Sequence, residues 1–173
     1  MNVNERIKEM FEHRNPDRHS YKVEPGLNKE IIKAISKHKN EPEWMLDFRL
    51  KSFEVYNKLP VPSWGADLSA LDTEKITYFA VPDAKHNAKS WDEVPEEIKK
   101  TFQRLGIPEA EQKYLAGAGS QYDSLVVYHN LKKDLQEKGV IFEDMDVALQ
   151  KYPELVKEYF MTKCIPITLH KYI

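Results

Sequence analysis

Metal ligation, nucleophilic attack and proton transfer fall on few side-chain types. In this 173-residue chain the candidates begin with six histidines and one cysteine. The histidines are His13, His19, His38, His86, His129 and His170. No two stand four apart on one expected helix, and no second cysteine accompanies Cys164. The spacings that build a zinc site are therefore missing. Cys164 and His170 flank Pro166 at a separation with no metal-site meaning. An iron–sulfur centre needs several ligands, so Cys164 could join one only across an oligomer. No metal and no cofactor is expected in this fragment.

Other chemistries find equally little support. Leu115–Gly119 holds a G-x-G, but Tyr122 stands where a dinucleotide loop needs its third glycine. The residues before it read as helix rather than strand, so helix termination is the commoner use of Gly117 and Gly119. No serine, cysteine or threonine lies in a nucleophile elbow. The carboxylate pairs Glu96/Glu97, Glu109/Glu111 and Asp144/Asp146 sit at expected helix starts. Capping and complementing the helix dipole account for them there. The expectation is a protein with no catalytic residue, hence not an enzyme. A small-molecule enzyme with an unrecognised site stays open as an alternative.

The elements that would position such residues are mostly helical. Residues 1–13 suit a short amphipathic helix, and 14–25 a polar linker interrupted by two prolines. Asn28 opens a helix whose apolar stripe is Leu27, Ile31, Ile32 and Ile35. A second helix, about Pro42 to Lys58, carries Trp44, Phe48, Phe53 and Tyr56 at helical spacing, which suits a core face. Asn40 is the expected cap, Pro42 fits the first turn, and Glu41 and Glu43 suit the positive end of the dipole. The short connection makes an αα-hairpin. Strands are expected over 75–81, 124–129 and 140–142. Helices are expected over 95–105, 109–116, 131–138, 144–151 and 153–160. The order strand, helix, strand from Ser124 to Phe142 suggests a small parallel βαβ unit. The fold class is α+β, mainly α: the hairpin, several short helices and a small sheet of short strands.

Charge gives little direction. Lys and Arg number 26 against 28 Asp and Glu, so nothing favours nucleic acid or an anionic membrane as partner. A polar amino terminus and a single cysteine fit the cytoplasm. Trp64 and Trp91 lie in loop contexts. With Tyr122 and Asp123 they are the candidates for an interaction surface. Composition does not fix the oligomeric state.

Several blocks resemble one family. Lys39–Leu46 (KNEPEWML) followed by Arg49–Leu50 is similar to a signature near the amino terminus of the SufB family of iron–sulfur cluster assembly scaffolds. So are Gly26–Asn28, Leu105–Pro108 with Glu111–Lys113, Leu115–Gly117, Gln121–Ser124 with Val126–Tyr128, Lys138–Phe142, and Tyr152–Lys157 with Tyr159–Phe160. The resemblance spans about residues 21–163. It implies an amino-terminal, mostly helical domain over 26–163, preceded by a helix and linker over 1–25. Residues 164–173 would be a truncated connection toward a β-helix that is missing. It also implies a non-enzymatic role in the SUF system. The family's contacts with SufC and SufD would lie mostly in the missing regions.

Overall fold

The computed structural model describes residues 2–12, 15–61, 64–105 and 117–162. The expected helix over 109–116, the pair Glu109/Glu111, Cys164, His13 and His170 lie outside them. Contacts divide the chain into two units, each made of two sequence segments. One holds residues 1–22 and 80–142, the other 23–79 and 143–173. The class is the expected α+β, with seven helices and two two-stranded sheets among the described residues.

The first unit contains helix α1 (Val3–Glu12) and two antiparallel pairs. Strand β1 (His19–Lys22) pairs with β2 (Ala80–Pro82), His19 opposite Pro82 and Lys22 opposite Ala80. Strands β3 (Gly117–Tyr122) and β4 (Leu125–Leu131) form a hairpin, Tyr122 opposite Leu125 and Gly117 opposite Leu131. Its two-residue turn needs a positive φ, which Asp123 supplies at 51°. The Ser124 amide donates to Ala80 O (3.0 Å), and the Ala80 amide to Ser124 Oγ (3.2 Å), fastening the turn to β2.

Helix α4 (Glu96–Arg104) buries Ile98 against Ala88, Val94, Val127 and Tyr128. Trp91, in a 3-10 turn (Trp91–Glu93), meets Phe102 and Tyr128 edge-on at 5.6 and 5.5 Å. Helix α5 (Lys133–Glu137) follows β4.

The parallel βαβ unit is not formed. β4 turns directly onto β3, and a two-residue turn of that kind can join only antiparallel strands. Residues 140–142, expected as strand, join no ladder among the described residues. The G-x-G lies within β3. A Cβ on Gly117 would stand 3.1 Å from the Phe142 ring, so the missing side chain lets that ring close on the strand.

The second unit holds the αα-hairpin: α2 (Lys29–His38) and α3 (Glu43–Lys58). α2 starts as expected. Asn28 is extended, and its Oδ1 accepts the Ile31 amide at 2.8 Å. Its stripe is buried at Ile31, Ile32 and Ile35. Substituting Asn28 by Ala should remove about 1 kcal/mol of stability, read as a lowered urea midpoint at unchanged slope.

The connection differs from expectation. Asn40 takes a positive φ of 52° and ends α2, while Pro42 occupies the cap position of α3 without a side-chain bond. Asn is the commonest substitute for glycine at such a stop. Helices α6 (Met145–Lys151), capped by Asp144 through Val147 N at 3.0 Å, and α7 (Pro153–Tyr159), with Pro153 at its first position, complete the unit. Of the expected strand over 75–81 only its end is laddered, in β2. Ile76 O and Phe79 O each accept one backbone bond, from Gly26 and Val23.

Candidate functional site

The helices of the second unit leave a groove along α3. It has a volume of about 580 Å³ and is lined mainly by apolar side chains, among them Ile35, Met45, Phe48, Tyr56 and Leu149. That size lies within the range of ligand and peptide pockets. α3 presents half-buried aromatics to it because apolar residues occur on more than one of its faces, while only Met45 is fully buried. Phe160, just past α7, stands edge-on to Phe48 at 5.2 Å and to Trp44 at 6.2 Å.

Two ion pairs also line the groove. Arg49 reaches back from α3 to Glu41 with both arms of its guanidinium, Nε to Oε2 at 2.7 Å and Nη2 to Oε1 at 2.5 Å. The Glu41 side chain is only 1% exposed. Its position follows from the hairpin: Asn40 turns the chain, Glu41 N bonds Ser36 O (3.0 Å), and the side chain falls inward. Lys39 Nζ pairs with both carboxylate oxygens of Asp146 on α6, the longer contact at 2.7 Å, and lies 5.4 Å from the Phe79 ring centroid. The sequence places Glu41 at the positive end of the helix dipole; in the structure it forms a fork–fork pair with Arg49, the geometry in which arginine binds carboxylate most strongly. No i,i+3 or i,i+4 signal discloses the Glu41–Arg49 pair, which stands eight residues apart across the start of α3. Asp146 as a partner of Lys39 has none either, being 107 residues away.

The four interaction candidates are dispersed. Trp64 belongs to the second unit and is 71% exposed. Trp91, Tyr122 and Asp123 belong to the first. Trp91 packs within its core. The Tyr122 hydroxyl accepts from Asn15 Nδ2 at 2.6 Å. Asp123 Oδ2 lies 3.0 Å from His19 Nε2, and Asp17 Oδ1 lies 2.6 Å from His19 Nδ1.

The Lys22 ammonium, 3.1 Å away, is the main cause that holds the Asp17 carboxyl below its usual range, with His19 adding to it. Lys85 does the same for Glu93, and Glu143 raises the Lys151 ammonium. A carboxyl lowered by folding stabilises above the ordinary carboxylate range near pH 4 and loses that contribution as pH falls through it. At neutral pH these pairs are complete.

Among the described residues no three His, Cys, Asp or Glu side chains come together to hold a metal. No described helix is long and apolar enough to cross a membrane.

Over 140 residues the chain is 59% identical to proteins named iron–sulfur cluster assembly SufBD family protein from Staphylococcus haemolyticus, Staphylococcus epidermidis and Staphylococcus aureus. The match takes in 81% of this chain and 30% of each relative, so the chain spans less than a third of the length of the curated relatives it matches. No family model matches the chain, and no solved structure matches it. Over the matched stretch this chain is a homologue of SufBD family proteins.

Proposed function

We propose that this chain corresponds to the amino-terminal, non-enzymatic part of a SufB-type scaffold, acting in iron–sulfur cluster assembly through contacts with other SUF proteins. The observation that carries this reading is the 59% identity over 140 residues to SufBD family proteins. The geometry of the block Lys39–Arg49 supports it. The ionic side chains there close on one another, Glu41 on Arg49 and Lys39 on Asp146, and so build a framework for a surface. A catalytic acid or base would instead need its proton-transferring atom open to a substrate. Cluster ligation and the main contacts with SufC and SufD belong, in this reading, to parts of the scaffold outside this segment. Trp64 and the Tyr122–Asp123 turn are the surface positions that would meet partners.

Two measurements test it. Anaerobic incubation with iron and sulfide should leave the protein without a cluster absorbance band. A band that disappears in Cys164→Ser would replace this reading with cluster binding across an oligomer. Cross-linking to the isolated SUF proteins should attach the chain near Trp64 or Tyr122, with SufC weakly retained at most. No attachment to any of them, or tight retention of SufC, would overturn the assignment.

A further inference from the structure

In the first unit His19 stands between two carboxylates. Asp17 Oδ1 lies 2.6 Å from its Nδ1 and Asp123 Oδ2 lies 3.0 Å from its Nε2, with the side chain only 16% exposed. Local structure brings the three together. The register of β1 against β2 shifts between His19 and Tyr21, an irregularity of the kind that re-aims a side chain. The Ser124 amide ties the β3–β4 turn to Ala80 O on β2, the strand that pairs with β1, and so carries Asp123 to the ring. The other charged groups on the adjoining elements are Arg18, which pairs with Glu97 of α4 at 3.2 Å, and Asp83, just past β2.

An ionised carboxylate only accepts hydrogen bonds, and an imidazole donates from both nitrogens only when it is protonated. The double contact therefore belongs to the imidazolium. A neutral ring keeps one N–H and turns a bare lone pair toward the other carboxylate. The two carboxylates are unequal in that choice. Asp17 has the shorter contact and a second cation, Lys22 Nζ at 3.1 Å. Among the described residues the Asp123 carboxylate has His19 alone. The backbone of the turn is held separately, by Ser124 on Ala80 and by Gln121 Nε2, which donates to Asp123 O at 2.8 Å.

We propose that His19 is a proton-operated clasp on the β3–β4 turn: the imidazolium holds the Asp123 carboxylate, and loss of the Nε2 proton releases it while Nδ1–H stays on Asp17. Release frees the side chain and leaves the turn in place, so the hairpin tip gains an unpaired negative charge without unfolding. This goes beyond the scaffold reading and does not depend on it.

Imidazole side chains change charge between about pH 5 and 8, so the test compares the full chain by NMR at those two limits. Three-bond couplings to the Asp123 carboxyl carbon should report a single χ1 rotamer at the acid limit and an average of rotamers at the alkaline one. Nitrogen–proton correlations of the His19 ring should show both nitrogens protonated at the first limit and only Nδ1 at the second. In His19→Phe, which keeps a ring without donors, the Asp123 couplings should be averaged at both. An Asp123 side chain that is fixed at both limits in the wild type, or averaged at both, overturns the proposal. So does a ring that is neutral at the acid limit, or one that keeps its last proton on Nε2. A pH-dependent change of the same size in His19→Phe overturns it too, since another group would then drive the release.

Discussion

Arg49→Met should lower the stability of the second unit by about 3 kcal/mol or more, seen as a loss of α-helical signal at markedly lower urea. The side chain kept is nearly isosteric in its aliphatic part, so the change acts on charge and hydrogen bonding. Arg49 supplies both donors to Glu41, and that side chain is 1% exposed. Removing it leaves a carboxylate with no water to replace the guanidinium, and an uncompensated buried charge is among the costliest single defects. The reverse change, Glu41→Gln, should be milder. The Arg49 side chain is 35% exposed and can turn its charge to solvent. The double variant Glu41→Gln/Arg49→Met should recover more than half of what Arg49→Met loses, because it removes the stranded charge as well. Equal losses in Arg49→Met and the double variant would show that lost packing dominates, and that the ion pair is not the reason the hairpin closes.

That pair also shows which parts of the fold a sequence can disclose. Asn28 as a cap and Pro153 as a helix start are legible because each acts within three or four residues of itself, and Asp144 is one of the two carboxylates the sequence offers for capping there. The stripe Ile31, Ile32 and Ile35 is legible for the same reason, since its period alone places it on one face. Asn40 is ambiguous at that range. It can start one helix or stop another, and the choice falls to stopping because Pro42 takes the following cap. The β3–β4 hairpin was hidden by its glycines. Gly117 and Gly119 look like helix stops unless one knows that Phe142 must approach the strand. The groove could not be foreseen either. Its walls combine α2, α3, α6 and Phe160 from segments about a hundred residues apart, and Lys39 meets Asp146 only once they assemble. Local chemistry thus gives the elements, and the candidate surface appears only at the level of packing.

The two exposed-looking tryptophans separate the same way, and their contrast gives the second large expected effect. Trp91→Ala should destabilise the first unit by about 3 kcal/mol, the usual scale for deleting an aromatic that core residues enclose. Its ring meets Phe102 and Tyr128 edge-on, and both neighbours join the cluster of Val94, Ile98 and Val127. Truncation would leave a cavity between α4 and β4 that a 3-10 turn is too short to collapse into. Trp64→Ala, at 71% exposure, should change stability by no more than about 0.5 kcal/mol. Near-ultraviolet circular dichroism and urea unfolding of both variants decide the matter. If Trp91→Ala unfolds at the wild-type midpoint, the core role assigned to Trp91 fails and its ring becomes available as a binding surface. If Trp64→Ala proves the costlier, then Trp64 anchors its loop and drops out as a partner contact. The expected pattern makes Trp64 the better probe of partner binding, because its loss should weaken a contact without loosening the fold that presents it.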